Sequence, residues 1–357
     1  MSALKEKLRH VPGIVKLVKI IRNLWSIIRL VTGFFVYLVT GKTSQVAYQA
    51  MITVFCITKG RSNDFFSWML GKFRPPYIFN ASPEGVAGEL SGDALTTAVL
   101  QIKERGYYVF NNRVPGDMCD RLLAYAMTHP CKMRPMDGEK SGAIVTTIYN
   151  REQPQAVRYE FSQEELLKNP DVQNLLADMS LPALAQEYLG ARPVIDIVAL
   201  WWHTRFSNMP DSEAAQYFHF DMDRFKWLKF FIYVTDVGPE NGPHSFVAGS
   251  HRSGAIPSAL LDKGYARLSD DEVKSNFAKE DLIEFSAPRG TIIAEDTRGL
   301  HKGRHVESGD RLVLQIEFSN CLFGAFYPKS RMPDEVLPQL HRKMKQYPDM
   351  YLYLEGR

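Results

Sequence analysis

Tyr217-Phe218-His219-Phe220-Asp221 sets a histidine and a carboxylate one residue apart in an otherwise aromatic run. Strand side chains alternate between two faces, so in an extended segment His219 and Asp221 point the same way. A neutral imidazole and a carboxylate on one face can bind a single ion from adjacent corners. A second imidazole would complete a two-histidine, one-carboxylate face, which leaves three positions open and suits iron(II). Alone, the pair is weak, because nine histidines and forty acidic residues readily yield one such spacing by chance. A surface histidine beside a solvated aspartate is the plain alternative. Asp223 falls on the same face and competes with Asp221 as ligand, and Asp221 has the better spacing to His219.

Working outward, Arg289-Gly290-Thr291-Ile292-Ile293-Ala294 reads as a turn feeding a strand. It is followed by Asp296-Thr297-Arg298-Gly299-Leu300-His301-Lys302-Gly303 and then by Arg311, which opens the apolar strand Leu312–Ile316. A turn at Glu307–Asp310 is expected to pair the His301 strand with the Arg311 strand. That pairing would set a guanidinium a few ångströms beyond the metal, where its planar fork could hold the distal carboxylate of 2-oxoglutarate bidentately. The competing role for Arg311 is an ion pair with Asp310, Glu307 or Glu317. His305 is the fallback for the second histidine.

Short apolar strands are expected at Val194–Trp202, Tyr217–Asp221, Trp227–Val234, Thr291–Ala294 and Leu312–Phe318. Gly, Pro, Asn and Asp clusters punctuate them at Gly238–Gly242 and Glu307–Asp310. Many short strands with turn signals argue for a sandwich or barrel rather than a parallel α/β sheet. Helical patterns come first, at Asp93–Arg105 and through residues 163–189, the latter ending at Gly190 as a natural C-cap. Gly106–Phe110 reads as a strand entering the core. The expected fold is therefore mainly β with helical cover: a double-stranded β-helix (jelly-roll, cupin-like) core preceded by N-terminal helices.

These stretches resemble the phytanoyl-CoA dioxygenase-like family of iron(II)/2-oxoglutarate-dependent oxygenases. The resemblance rests on His219-Phe220-Asp221, the stretch Trp227–Asp236, Glu240-Asn241-Gly242-Pro243, Ala248-Gly249-Ser250-His251 and the His301…Arg311 pair. Gly106–Val109 and Tyr188-Leu189-Gly190 look like the family's N-terminal half, so the resemblance spans roughly residues 95–325. It implies His219, Asp221 and His301 as iron(II) ligands and Arg311 as the 2-oxoglutarate anchor, with no catalytic residue beyond the metal ligands. 2-Oxoglutarate and O2 would be co-substrates, succinate and CO2 would be released, and the usual net result is hydroxylation. His244 and His251 become turn residues with a structural or pocket-lining role. Three positions depart from the pattern: Ala248 for the usual proline, Thr291 for the usual Asp after glycine, and Gly303 for a hydroxyl-bearing residue after the distal histidine. The last leaves the second carboxylate contact of 2-oxoglutarate unassigned. Retention of Asp221 disfavours a halogenase. Tyr217, Phe218, Phe220, Phe225 and Trp227 are candidates for a dry wall around the ligands, with plain core packing as the alternative.

Charge is distributed unevenly. Residues 1–61 hold ten Lys or Arg against Glu6 alone, while the whole chain is only +3. A basic, apolar N-terminus on an acidic body excludes a nucleic-acid domain less firmly than it suggests an anionic surface, and no nucleic-acid partner is expected. From Ile14 to Leu30 a helical pattern places Lys16, Lys19, Arg22, Asn23, Ser26 and Arg29 on one side. Ile14, Leu17, Ile20, Ile21, Leu24, Trp25, Ile27 and Ile28 fall on the other. Such a helix suits a membrane interface. The uncharged stretches that follow, Leu30–Gly41 and Thr43–Thr58, each fall short of the ~20 residues needed to cross a bilayer. Peripheral attachment of residues 14–30 to an anionic membrane surface is thus expected rather than a span, with packing on the body or a dimer face as the alternative. Charges inside the would-be apolar core fit a signal peptide poorly. Cys56, Cys119, Cys131 and Cys321 are scattered, which argues against a disulfide framework or zinc ribbon and for a reducing, cytoplasmic setting, on the cytoplasmic membrane face if the helix binds there.

The expected organisation is a basic amphipathic helical segment over 1–80, a linker over 81–93, an oxygenase domain over 94–330 and a helical tail over 331–357. A small-molecule, lipid or lipid-linked substrate is expected. The alternative function is a non-catalytic jelly-roll binding protein attached to a membrane surface.

Overall fold

The computed structural model describes residues 12–79, 85–134 and 145–354. Residues 81–84 of the expected linker and the ends of the first and last expected segments lie outside them. Among the described residues, eleven strands form two antiparallel sheets. The larger runs β1 (Tyr107–Arg113), β9 (Thr291–Glu295), β6 (Trp227–Tyr233), β11 (Asp310–Ser319), β5 (Val194–Thr204), β4 (Arg158–Glu160), β2 (Cys131–Met133) and β3 (Thr146–Thr147). The smaller runs β10 (His301–Gly303), β7 (His244–Val247) and β8 (Leu282–Phe285).

The alternation of side chains in the large sheet explains its position. Leu228, Phe230 and Ile232 of β6, with Leu312, Leu314, Ile316 and Phe318 of β11, face a helical layer that includes Leu122, Leu175, Leu181 and Leu184. Odd-numbered neighbours face the small sheet, where Trp201, Phe231, Tyr233, Phe246, Phe285, Ile293 and Val313 form the inter-sheet core. A sheet covered on both faces reads as nearly continuous apolar strands, so the polar inward residues Lys229, Arg311, Gln315 and Glu317 stand out. This is the jelly-roll with helical cover that the sequence implies.

One expected strand and one expected pairing differ. Tyr217–Asp221 is not a regular strand: only Phe218 and His219 make isolated antiparallel bridges, to Leu268 and His301. The His301 strand does not pair with the Arg311 strand. β10 pairs with β7 in the small sheet and β11 with β5 and β6 in the large one. The segment 304–309 carries the chain from one sheet to the other, as a sandwich requires.

The N-terminal helices α1 (Pro12–Thr40), α2 (Gln45–Thr58) and α3 (Arg61–Phe73) pack on the body. Their Leu30, Phe34, Met51, Phe55, Phe66 and Leu70 share one core cluster with Phe218, Phe220, Phe225 and Phe323. The basic amphipathic run and the uncharged stretch after it therefore form one 29-residue helix, of which Lys16–Thr40 is long and apolar enough to cross a membrane. Gly33 does not break it. A Cβ there would sit 2.3 Å from Ala47 Cβ, so the glycine lets α1 and α2 approach closely. Ser44 caps α2, its hydroxyl accepting from Ala47 N at 3.2 Å. The described part of the expected linker is pinned: Val86 N donates to Asp178 at 2.6 Å, and Ala87 and Leu90 are buried.

Candidate metal centre

His219 and His301 face each other across an antiparallel bridge, each backbone N–H donating to the other's carbonyl at 3.0 and 2.8 Å. The rings come to 4.3 Å between centroids. Asp221 is held by its own N–H to Thr297 O at 2.8 Å, which turns its carboxylate towards both rings. Asp221 Oδ1 lies 3.6 Å from His219 Nε2 and Oδ2 lies 3.4 Å from His301 Nε2, and one ligand atom from each residue falls within 4.8 Å of the others. Adjacent ligands on an octahedral ion with bonds of about 2.1 Å are about 3 Å apart, so the set fits one small metal ion with little movement. Both Nδ1 atoms lie on carbonyls, Tyr217 O at 2.9 Å and Gly299 O at 3.0 Å. That fixes a proton on Nδ1 of each ring and turns each Nε2 towards Asp221.

The segments that carry the family resemblance build the strap delivering His301. Ser250 Oγ donates to Val247 O at 2.6 Å and accepts from Leu300 N at 2.8 Å, tying the Gly249-Ser250-His251 turn to the residue before the ligand. Asp296 receives Arg298 through both oxygens and the Tyr188 hydroxyl, while its N–H donates to Gly106 O at 2.9 Å. Asn241 Oδ1 accepts from Gly238 N and its Nδ2 donates to Ser308 O, each at 2.9 Å, which pins the crossing between the sheets. His244 sits on β7 and meets both oxygens of Glu295 at 2.9 and 3.0 Å, while lining the cavity. His305 does not line it, and it lies outside the ligand cluster.

Lys229, which the sequence reading did not single out, fixes the carboxylate. Its Nζ lies 2.6 Å from Asp221 Oδ2, 2.9 Å from Asp223 Oδ2 and 3.4 Å from Glu317 Oε2. Asp223 is thereby committed to Lys229 and to the Tyr327 hydroxyl rather than to the metal face. Burial alone would raise the Asp221 carboxyl, but the Lys229 ammonium and His301 outweigh it and hold it well below the ordinary carboxylate range. Burial, then His301, pushes His219 well below the ordinary histidine value, so its ring is neutral.

Arg311 is 2% exposed and has no acidic partner among the described residues. Asp310 binds Arg151 at 2.6 Å, Glu307 binds Arg304 at 2.8 Å and Glu317 faces Lys229. One guanidinium nitrogen, Nη2, donates to His203 Nδ1 at 2.6 Å. Nε and Nη1 are buried without a hydrogen-bond partner among the described residues. Burial draws the guanidinium down to about 10, with the Tyr233 hydroxyl pulling the other way. The competing ion pair with Asp310, Glu307 or Glu317 does not form, since each of those carboxylates is engaged elsewhere. His203 stands directly opposite Arg311 in the β5–β11 register and is neutral, held well below its ordinary value by burial and then by Arg311. Its Nε2 donates to Ala214 O at 3.1 Å. Gly303 is tight against this pair: a Cβ would lie 2.8 Å from Arg311 Nη2 and 3.3 Å from the His203 ring. The missing hydroxyl after the distal histidine thus coincides with an imidazole occupying its space.

All four residues line one cavity of about 380 Å³, together with Lys229, His203, His244, Trp201, Phe231 and Tyr327. The aromatic wall is Phe161, Trp201, Phe231 and Tyr327. Tyr217, Phe218, Phe220, Phe225 and Trp227 do not line the cavity. Phe218, Phe220 and Phe225 pack instead under the N-terminal helices, and Trp227 donates to Thr297 Oγ1 at 2.8 Å. Arg134, Arg158 and Arg267 also reach the cavity, where Arg134 and Arg158 share Glu160 at 2.6 and 2.8 Å.

A family model described as "Phytanoyl-CoA dioxygenase (PhyH)" matches residues 102–312. No curated protein matches the chain significantly. Among solved structures, HygX from Streptomyces hygroscopicus with nickel and 2-oxoglutarate bound aligns at 14% identity and TM-score 0.47, covering 68% of this chain and 92% of that one. EctD from S. alaskensis in its apoform aligns at 18% identity and TM-score 0.45, covering 71% and 85%. AviO1 from Streptomyces viridochromogenes Tue57 aligns at 17% identity and TM-score 0.39, covering 64% and 96%.

Proposed function

Because the chain belongs to the phytanoyl-CoA dioxygenase family of iron(II)/2-oxoglutarate-dependent oxygenases, we propose that it hydroxylates an unactivated C–H bond of a small-molecule, lipid or lipid-linked substrate. In this reading His219, Asp221 and His301 hold iron(II), Arg311 anchors 2-oxoglutarate, and succinate and CO2 are released. The observation that carries it is Arg311: a buried cation without an anionic partner among the described residues, opening into the cavity that the three ligands share. An unpaired buried charge is costly, and a carboxylate is the natural group to relieve it.

Bound iron supplies the oxidising power by activating O2 at the expense of 2-oxoglutarate. The chain's own residues do the rest. Lys229 keeps Asp221 ionised and oriented, and the carbonyls of Tyr217 and Gly299 fix the imidazole tautomers. The fork of Arg311, steadied by His203, takes the distal carboxylate. Trp201, Phe231 and Phe161 keep water from the reacting bond. Retention of the carboxylate ligand favours oxygen transfer over halogenation.

The test is iron(II)-dependent release of succinate from 2-oxoglutarate, with mass spectrometry of extract for a product one oxygen heavier. Arg311→Lys keeps the charge and loses the fork, so it is expected to weaken 2-oxoglutarate binding by about 2–5 kcal/mol, or roughly 30- to several-thousand-fold. Metal affinity should stay near that of the unmodified chain. A chain that binds metal and 2-oxoglutarate yet never releases succinate would be a non-catalytic jelly-roll binding protein.

A further inference from the structure

Helix α1 meets the body along one narrow face. Ser26, Leu30 and Phe34 are buried, and the Tyr37 hydroxyl accepts from Leu322 N at 2.9 Å. At about 100° per residue these positions share an arc of roughly 80°. Leu17, Leu24, Ile28, Val31, Phe35 and Val39 fall on the opposite side and are exposed, Phe35 at 64% and Val39 at 87%. An amphipathic surface helix ordinarily turns its apolar side to the core and its polar side to water. Here a continuous apolar stripe faces away from the protein, and Lys16, Arg22 and Arg29 border it. That is the arrangement of a helix whose long basic side chains reach past an apolar medium to charged headgroups.

We propose that α1 is a monotopic docking element, lying parallel to an anionic bilayer with its outward stripe in the interface. Three observations select this occupant. The first 61 residues carry ten basic side chains against one acidic, which matches an anionic surface. A span is disfavoured although Lys16–Thr40 is long enough, because Ser26, Leu30, Phe34 and Tyr37 lie within that stretch and are engaged by the body. A second copy docked stripe to stripe would bring like-charged borders together, whereas a bilayer opposes them with negative charge. Helix α3 adds anchors: its Phe66 rests on Phe34 at 5.1 Å, and its Phe65 and Trp68 are exposed. Aromatic side chains of this kind favour the headgroup level. Lys19 also reaches Asp262 at 3.6 Å, on the connection that leads to Arg267 at the cavity.

The experiment is flotation of the full-length chain with vesicles of phosphatidylglycerol and phosphatidylcholine, against vesicles of phosphatidylcholine alone. Binding to the anionic vesicles, weakened by salt and reversed by alkaline carbonate, is the expected result. Leu24→Glu with Ile28→Glu changes two exposed side chains, so the melting temperature should hold while vesicle partitioning falls at least about tenfold. The proposal is overturned by a full-length chain that ignores anionic vesicles, or by a double variant that floats as well as the unmodified chain. Resistance to carbonate would make α1 a span. A dimer in sedimentation velocity that the double variant dissolves, without vesicle binding, would make a second copy the occupant.

Discussion

Arg311 and His203 are register partners on adjacent strands, and Nη2 of the buried guanidinium donates to the imidazole at 2.6 Å. His203→Ala would leave Nη2 of a buried guanidinium without its acceptor, at a cost of about 1–3 kcal/mol, or roughly 5- to 150-fold in 2-oxoglutarate affinity. Anaerobic titration of 2-oxoglutarate against the metal-loaded protein should show that weakening with an unchanged metal titration. Gly303→Ser should act in the same direction, since its Cβ would crowd both groups. His305→Ala should do neither. Lys229→Met leaves Asp221, Asp223 and Glu317 facing one another with no cation between them. Breaking a buried charge network from one side typically costs about 3–5 kcal/mol, which urea denaturation would register. At this scale a family motif pointed to His219, Asp221, His301 and Arg311, and the four do line one cavity, although the strand pairing expected to join His301 to Arg311 does not occur. His203 was not legible, because only the β5–β11 register brings it to Arg311. Lys229 had a signal, a lone lysine within a wholly apolar strand, that spacing from the histidines does not use.

Elements were legible where they are long and strongly periodic, and less so where tertiary bridges alone hold them. β5, β6, β9 and β11 fall close to their expected bounds, whereas β7, β8 and β10 are only three or four residues long. The His219 segment is extended because of two bridges, one of them to the other histidine, and no local pattern encodes a partner so distant in sequence. Packing of the N-terminal helices on the body is one of the expected alternatives, and it occurs: Phe55 stacks on Phe220 at 5.3 Å and Phe66 on Phe225 at 4.6 Å. Phe220 lies between the candidate ligands His219 and Asp221, so these helices brace that segment from behind. Phe34→Ala is expected to cost about 3–5 kcal/mol of stability. Removing residues 1–79 should expose Phe220, Phe225 and Phe323 and yield an aggregating chain, scored by light scattering after purification. A well-behaved monomer from that truncation would mean the shared core is dispensable.

At the scale of the whole molecule, the cavity lies between two sheets that contribute different things. His301 comes from the small sheet and His219 bridges to it, while Arg311, His203 and Lys229 project from the large one. The jelly-roll class was legible from strand number and punctuation. The division of labour between sheets was not, because it follows from the crossing at 304–309 rather than from any motif. A ligand at 100 times its dissociation constant stabilises the fold by about 2.7 kcal/mol. Metal and 2-oxoglutarate together should therefore raise the melting temperature by more than either alone, and calorimetry would show whether they do.

β10 has only three residues, and its closest partner besides β7 is the single bridge at His219. Such a short ladder has little cooperative protection of its own and should open locally far more often than the large sheet does. Metal joining His219 to His301, and 2-oxoglutarate reaching on to Arg311, would rivet that edge to β11, a central strand of the large sheet. The amides of His219 and His301 should then exchange with deuterium rapidly in the empty protein, more slowly with metal, and most slowly with both. The order of protection would report the order in which the reaction chamber is assembled.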